Sequence, residues 1–153
     1  MIEKMKKVFF LLAILVSLVT CREIFDTPPQ PRLGAAIKYS SNASVSPLIS
    51  VYSSGMDSMW INAENLSTIS LPLNINSTTE LVILIDSVAD VLEFTHDYSI
   101  NYESMESGFF YTWKLSKLAF TTNRIDSILV HNPIVTEKWD ENITIYINDL
   151  PSD

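Results

Sequence analysis

A chain of 153 residues is long enough for one domain with its own hydrophobic core and too short for two ordinary ones. Its 18 acidic and 10 basic side chains give a formal net charge of −8. Such a surface repels phosphate backbones, which excludes nucleic acid as an expected partner. The single cysteine, Cys21, excludes a disulfide within the chain and any paired-cysteine metal or redox site.

The first twenty residues have the layout of a secretory signal peptide. A short basic segment, Met1–Lys7, precedes an unbroken apolar run, Val8–Val16. This run is shorter than the roughly 20 apolar residues that a transmembrane helix needs, and the charged residues Arg22 and Glu23 follow it closely. We therefore predict that residues 1–20 are a signal peptide that is cleaved from the mature protein.

The end of this segment, Leu18-Val19-Thr20-Cys21, resembles the lipobox of bacterial lipoproteins, although Gly, Ala or Ser more often stands where this chain has Thr20. The resemblance implies cleavage before Cys21 and acylation of that cysteine, with the lipid bilayer as partner. Two or three acyl chains on one residue anchor a protein stably, whereas one chain alone binds only marginally. The alternative is a free cysteine near the end of a plain anchor helix. Cleavage leaves 133 residues with a net charge of −10.

The segment after the cysteine is rich in proline. Pro28, Pro29 and Pro31 favour an extended, polyproline-like conformation and interrupt any periodic apolar pattern. We expect residues 21–32 to comprise the acylated cysteine and a tether, and residues 33–150 to form the folded domain.

From residue 33 onward, apolar and polar side chains alternate with the period of two that predicts β-strands. Pro72 indicates a sheet edge, because proline donates no hydrogen bond to a strand ladder. The nearly continuous apolar run Glu80–Asp86 indicates a central strand that is covered on both sides. The strands predicted in this half of the chain are about 33–39, 48–53, 69–75 and 80–86.

The second half contains the cleanest alternation, Leu92–Tyr102, which is one long strand or two strands joined by a bend near Asp97. Further strands are predicted at about 109–115, 126–131 and 143–147. Strands that recur every ten to fifteen residues, without helical spacing between them, indicate an all-β fold. The chain has only three glycines, which disfavours a tightly coiled small barrel. We predict an antiparallel, immunoglobulin-like β-sandwich of about seven to nine strands.

Three segments between Thr68 and Pro133 carry a family resemblance: TISLPLNINS, DVLEFTHDYSINYESMESGF and RIDSILVHNP. They resemble small uncharacterised outer-envelope lipoproteins of Bacteroidetes, which have a Leu-Pro-Leu-Asn strand and an Ile-Asp-Ser strand. The chain departs from them at Ser107, where that family often has a cysteine. The resemblance implies a lipid anchor in the outer membrane, on its periplasmic face or at the cell surface, and it implies no catalytic residues.

The titratable residues do not form a pattern that indicates catalysis. His96 shares the apolar side of its strand, which favours a packed, hydrogen-bonded histidine over a catalytic one. The chain lacks the Gly-x-Ser-x-Gly motif of a nucleophilic serine. Asp86–Asp90 and Asp140–Asn142 come nearest to a calcium site, but Asp and Asn are also common in turns. We predict a protein that is not an enzyme and that has no metal and no cofactor.

The tryptophans are candidates for stacking on a ligand. Trp113 falls on the apolar side of its strand and is predicted to lie in the core. Trp60 and Trp139 lie in or beside loops, where exposed aromatic residues are typical of binding sites. The predicted function is a membrane-anchored lipoprotein that serves in binding or envelope assembly, as a protein-interaction module that offers the sheet edge opposite Pro72 to a partner strand. The alternative is a glycan-binding or small-ligand-binding lipoprotein that uses Trp60 and Trp139.

Overall fold

The computed structural model describes residues 30–56 and 58–149, which form ten strands and no helix. None of these residues belongs to a helix that is long and apolar enough to cross a membrane. The predicted signal peptide, Cys21 and most of the tether lie outside the described residues. The strands are β1 (Leu33–Tyr39), β2 (Leu48–Ser53), β3 (Met59–Asn65), β4 (Thr68–Leu71), β5 (Thr78–Ile85), β6 (Val88–Ser104), β7 (Gly108–Phe120), β8 (Ile125–Val130), β9 (Ile134–Val135) and β10 (Ile143–Ile147).

The strands form two sheets, which confirms the predicted all-β, sandwich-like fold. One sheet has four strands in the order β4-β1-β10-β8, and the other has six in the order β3-β2-β5-β6-β7-β9. β1 and β10 pair in parallel, and the other pairs are antiparallel. There are more strands than predicted because β3 and the two-residue β9 carry little apolar alternation. Ile61 is the only buried side chain of β3.

A hydrophobic core lies between the two sheets. The four-stranded sheet contributes the isoleucines of β10, Ile143, Ile145 and Ile147, and the six-stranded sheet contributes Ile83 and Phe94 among others. All five of these side chains have no exposed surface. Burying one side chain of this size contributes about 1.5–3 kcal/mol. This burial is the main stabilising term, because a chain with one cysteine has no internal disulfide.

Two details of the sequence-based prediction change in the structure. β5 lies between β2 and β6 and is therefore a central strand, as predicted. The predicted coverage on both sides is wrong, because only one side of β5 faces the core. Val82 and Leu84 point to the other side and are half-buried, because a two-layered fold has one core and no third layer to cover them. The strand predicted over residues 69–75 ends at Leu71, directly before Pro72, and it does lie at a sheet edge.

β6 and β7 form a hairpin that is longer than its neighbouring strands. β6 is one continuous strand of 17 residues rather than two, and its pairing with β7 shifts in register between Thr95 and His96, next to Asp97. β5 pairs with β6 only as far as Thr95, and β9 pairs with β7 only at Trp113 and Lys114. The hairpin continues beyond both neighbours to a turn at Gly108. We call residues 97–112 the distal hairpin.

Candidate functional site

The distal hairpin exposes large apolar side chains on one side. The core-facing alternation of β6 continues past His96 into Tyr98, Ile100 and Tyr102, and on β7 these residues pair with Trp113, Tyr111 and Phe109. Four of these side chains are exposed by about half or more: Tyr98 48%, Ile100 58%, Tyr102 57% and Phe109 66%. Contiguous exposed apolar surface of this kind marks interaction sites on soluble domains.

The aromatic rings of this surface contact one another. The centroids of Tyr102 and Phe109 lie 5.3 Å apart, and those of Tyr98 and Tyr111 lie 5.5 Å apart, both in edge-to-face geometry. Tyr111 also contacts Trp113 at 6.2 Å. Such pairs contribute about 0.5–1.5 kcal/mol each beyond their burial. These contacts join the aromatic rings on the apolar side of the hairpin into pairs.

The β7 strand of the hairpin borders a groove of about 340 Å³. The groove is lined by Phe109, Tyr111 and Trp113 of β7. Its lining also contains Trp60 and the residues at the start of the described chain, Gln30–Arg32. The groove therefore connects the apolar side of the hairpin to the point where the chain enters the domain.

Trp60 is the second residue of β3 and therefore lies beside a loop, as predicted. Its indole Nε1 donates a hydrogen bond to the carbonyl oxygen of Ser70 at 3.0 Å, and the ring is 45% exposed. The guanidinium carbon of Arg32 lies 4.6 Å from the centroid of the ring, within the range of a cation–π contact. Arg32 therefore covers one face of this indole, and Trp60 and Arg32 both line the groove.

Trp139 lies between β9 and β10 and is 61% exposed. It stands over Gly34 of β1, where an added β-carbon would come within 3.4 Å of its indole Nε1. Trp60 lines three grooves, and Trp139 contributes to none of these three. Trp113 is buried, as predicted, and its Nε1 donates to the carbonyl oxygen of Asn74 at 3.0 Å. The two exposed tryptophans thus remain separate candidates for ligand stacking.

His96 is a packed side chain, which confirms that part of the prediction. It is 1% exposed, and its Nε2 lies 2.8 Å from the hydroxyl oxygen of Thr79, which also accepts a hydrogen bond from the backbone N–H of Asn74. Burial lowers the pKa of His96 below its ordinary value, and the nearby Asp97 carboxylate opposes this effect. Its Nδ1 has no hydrogen-bond partner among the described residues. The neutral imidazole is therefore the form that suits this position.

The first candidate calcium segment, Asp86–Asp90, has a structural role. Asp90 is fully buried, and its two carboxylate oxygens accept four hydrogen bonds, from the hydroxyl of Thr121 and the backbone N–H groups of residues 123–125. Asp86 forms an ion pair with Arg124 at 3.2 Å. These contacts fasten the start of β6 to the turn between β7 and β8. Within residues 30–56 and 58–149, no group of three His, Cys, Asp or Glu side chains is placed to hold a metal ion.

The second segment, Asp140–Asn142, is also tied into the fold. Asn142 is buried, and its side-chain oxygen accepts a hydrogen bond from the backbone N–H of Gly34 at 2.9 Å. Its side-chain nitrogen donates to the carbonyl oxygens of Asn132 and Ile134. This single amide joins β1 to β9 and to the loop before it, so its oxygen is already satisfied by the protein.

Comparison with known proteins identifies a family. The model of a family of unknown function, DUF6452, matches residues 48–147, from the start of β2 to the end of β10. The chain belongs to this family, whose domain includes the whole hairpin. Neither a curated protein nor a solved structure matches the chain.

Proposed function

We propose that this protein is a non-enzymatic binding protein of the bacterial cell envelope, anchored in the outer membrane by acylated Cys21 and binding a protein partner through its distal hairpin. The proposal joins two observations. The N-terminal segment resembles the leader and lipobox of Bacteroidetes lipoproteins, and the hairpin exposes an apolar surface.

The main support for a binding role is that the distal hairpin exposes its apolar side. Tyrosine and other aromatic side chains are enriched at the centre of protein interfaces, because they bury much area at a low cost in side-chain entropy. Tyr98, Tyr102 and Phe109 are such side chains, and they occupy a ribbon that extends beyond both neighbouring strands. Exposed surface of this type opposes solubility, so its presence is best explained by a partner that covers it.

The anchor is tested by replacing the cysteine. We expect Cys21→Ser to abolish incorporation of radiolabelled palmitate and to release the protein from membrane fractions. Ser17→Ala, within the predicted signal peptide, is the matched control and is expected to label normally. A labelled Cys21→Ser protein would refute acylation at this position.

The binding surface is tested by site-specific photocrosslinking in intact envelopes. A photoreactive phenylalanine analogue at Tyr102 is expected to capture a partner protein. The same analogue at Leu129 is the control, because this side chain is also exposed but lies on β8 of the other sheet. Equal capture at both positions, or none at Tyr102, would contradict a binding surface on the hairpin.

A second candidate function is supported by the groove that Trp60 lines. A glycan or small ligand could stack on the exposed part of this indole, beside the Arg32 guanidinium. Tryptophan fluorescence that shifts with a glycan panel, and loses the shift in Trp60→Ala, would favour this function. Trp139→Ala tests the other exposed indole separately, because the two side chains share none of the three grooves.

A further inference from the structure

The edge of β6 in the distal hairpin lacks a neighbouring strand within the described part of the chain. The backbone N–H of His96 donates to the carbonyl oxygen of Ser77 at 2.9 Å, on the side where β5 lies. Backbone groups of alternate residues in a strand point to the same side. The N–H and C=O groups of Tyr98, Ile100 and Tyr102 therefore point to that same side, beyond the point where the pairing with β5 ends at Thr95.

This edge lacks the usual protection against pairing with another chain. Natural edge strands are commonly guarded by proline, lysine, a bulge or a covering loop. From Asp97 to Tyr102 this strand contains no proline, no lysine and no bulge, and its side chains alternate between apolar and polar; its register with β7 shifts only after Tyr102, where Glu103 is an extra residue. Tyr98, Ile100 and Tyr102 occupy one side of the strand, and Ser99 and Asn101 lie on the other.

The polar side of this edge is acidic. Asp97 and Glu103 flank it, and Glu106 lies in the turn at the tip. Lys114 stands opposite Asp97 across the hairpin, whereas Glu103 and Glu106 form no ion pair with another described residue. The chain as a whole carries a net charge of −8. A strand placed against this edge is therefore favoured when its own polar side is basic.

We infer that the distal hairpin binds an extended peptide segment of its partner by strand addition to β6, and that this segment alternates apolar residues with lysine or arginine. The inference rests on the proposed binding function and specifies how the partner is recognised. Backbone hydrogen bonds to Tyr98, Ile100 and Tyr102 supply affinity, and the alternating side chains supply specificity. The apolar residues of the peptide lie beside those three side chains, and its basic residues lie beside Glu103.

The charges disfavour a second copy of this chain as the occupant. Antiparallel pairing of two β6 strands centred on Ile100 would place Tyr98 of each copy opposite Tyr102 of the other. The same register would place Asp97 of each copy opposite Glu103 of the other. Like charges directly opposite each other destabilise a strand pair. A basic strand from a different protein avoids this repulsion.

The first test uses a defined probe with the full-length protein. The probe is a labelled heptapeptide, Lys-Tyr-Lys-Val-Lys-Tyr-Lys, capped at both ends, whose binding is followed by fluorescence anisotropy. In an antiparallel pair the amides of its tyrosines and valine would face β6, and those of its lysines would face solvent. N-methylation of the tyrosine and valine amides is expected to weaken binding by about tenfold or more, and N-methylation of three lysine amides by less than about twofold. Absence of saturable binding, or equal sensitivity to the two modifications, would overturn strand addition.

The charge of the partner is tested by replacing each lysine of the probe with glutamate. We expect this peptide to bind about tenfold more weakly or worse, and the parent peptide to lose affinity as salt is added. Equal binding of the two peptides would refute a basic partner. A dimer of the protein alone, seen by sedimentation and dissociated by Ile100→Pro, would assign the edge to a second copy instead.

Variants of the protein separate this inference from the proposed function. Ile100→Pro removes one N–H from the free edge and keeps an apolar side chain, at a position where an edge strand tolerates proline. Ile100→Val keeps both features and is the matched control. If Tyr102 captures a partner in envelopes and Ile100→Pro leaves that capture unchanged, the hairpin binds without strand addition. If Tyr102 captures nothing, the binding function itself fails.

Discussion

The two halves of β6 have the same alternating pattern and opposite surroundings. In the first half, Leu92, Phe94 and His96 are buried in the core, whereas Tyr98 and Ile100 on the same side of the strand are about half exposed. The difference arises from packing, because Leu92 and Phe94 belong to a cluster that includes side chains of the four-stranded sheet, and neither Tyr98 nor Ile100 belongs to it. Alternation in a strand therefore shows which side is apolar and does not show whether that side is covered.

The largest effect is expected for Phe94→Ala. This side chain fills the centre of the covered half and has no exposed surface. Its removal leaves a cavity, and we expect the free energy of unfolding to fall by about 3–5 kcal/mol. Urea denaturation measures this change. A loss below about 1 kcal/mol would show that the covered half of β6 is not the centre of the core.

The next largest effect is expected for Asp90→Asn, at the start of β6. Both carboxylate oxygens accept two hydrogen bonds each, and an amide would present a donor where two donors already point. We expect a loss of about 2–3 kcal/mol in the free energy of unfolding. Asp126→Asn is the matched control, because Asp126 is exposed, and it is expected to change stability by less than about 0.5 kcal/mol. Equal losses for the two variants would contradict the anchoring role of Asp90.

We expect the free energy of unfolding to depend on pH through His96, the last residue of the covered half. Because burial lowers the pKa of His96 in the folded protein, the unfolded chain binds this proton more readily than the folded protein does. Stability therefore falls as the pH drops below about 6.5, and the loss stops once the pH is below the folded-state pKa. His96→Gln removes this contribution, whose slope is at most about 1.4 kcal/mol per pH unit.

The measurement is urea denaturation of wild type and His96→Gln between neutral and acidic pH. Wild type should lose stability relative to the variant over this range. Thr79→Val, which removes the hydroxyl beside the imidazole but leaves the histidine, should keep the pH dependence. Parallel profiles for wild type and His96→Gln would show that the imidazole does not titrate differently in the two states.

The smallest effect on stability is expected in the exposed half. Ile100→Thr keeps a β-branched side chain in the strand and should change the free energy of unfolding by less than about 0.5 kcal/mol. The same replacement at the fully buried Ile83 should cost about 2 kcal/mol or more, because it buries a hydroxyl in the core. A comparable loss at both positions would mean that the distal hairpin is covered in the folded protein.

The strands were largely predictable from the sequence because one-sided burial imposes a period of two. The residues of β1, β2 and β10 show it clearly, and the structure places these strands within a residue or two of their predicted bounds. β3 was missed because it is an edge strand with one buried side chain, Ile61. The sequence of such a strand shows little alternation of apolar and polar residues.

The strand order and the parallel pairing of β1 with β10 were not predictable. They depend on contacts between distant parts of the chain, such as the hydrogen bond from Gly34 to the side chain of Asn142. Local alternation contains no information about which strands become neighbours. Gly34 is an example. A β-carbon at this position would collide with the carbonyl oxygen of Asp140, so the position requires glycine, and this requirement depends on a contact that forms only on folding.

The candidate site was predictable only in part. The sequence pointed to Trp60 and Trp139, and both are exposed. It gave no reason to separate Tyr98 and Ile100 from Leu92, because all three share one pattern. The sequence feature that could have revealed the exposed hairpin is the length of the alternation. The alternation Leu92–Tyr102 has eleven residues, whereas a typical strand has five or six, and a strand this long is expected to extend beyond its neighbours.

The point at which the chain enters the domain also limits how far the hairpin can lie from Cys21. Gln30–Arg32 line the groove beside the hairpin together with Phe109 and Tyr111, so the chain joins the domain next to the apolar side of the hairpin. Gln30 is the ninth residue after Cys21, and a fully extended segment of that length reaches about 30 Å. With an acyl anchor at Cys21, a segment of this length would keep the hairpin close to the surface of the bilayer. A partner would then have to be embedded in the same membrane or be delivered to its surface.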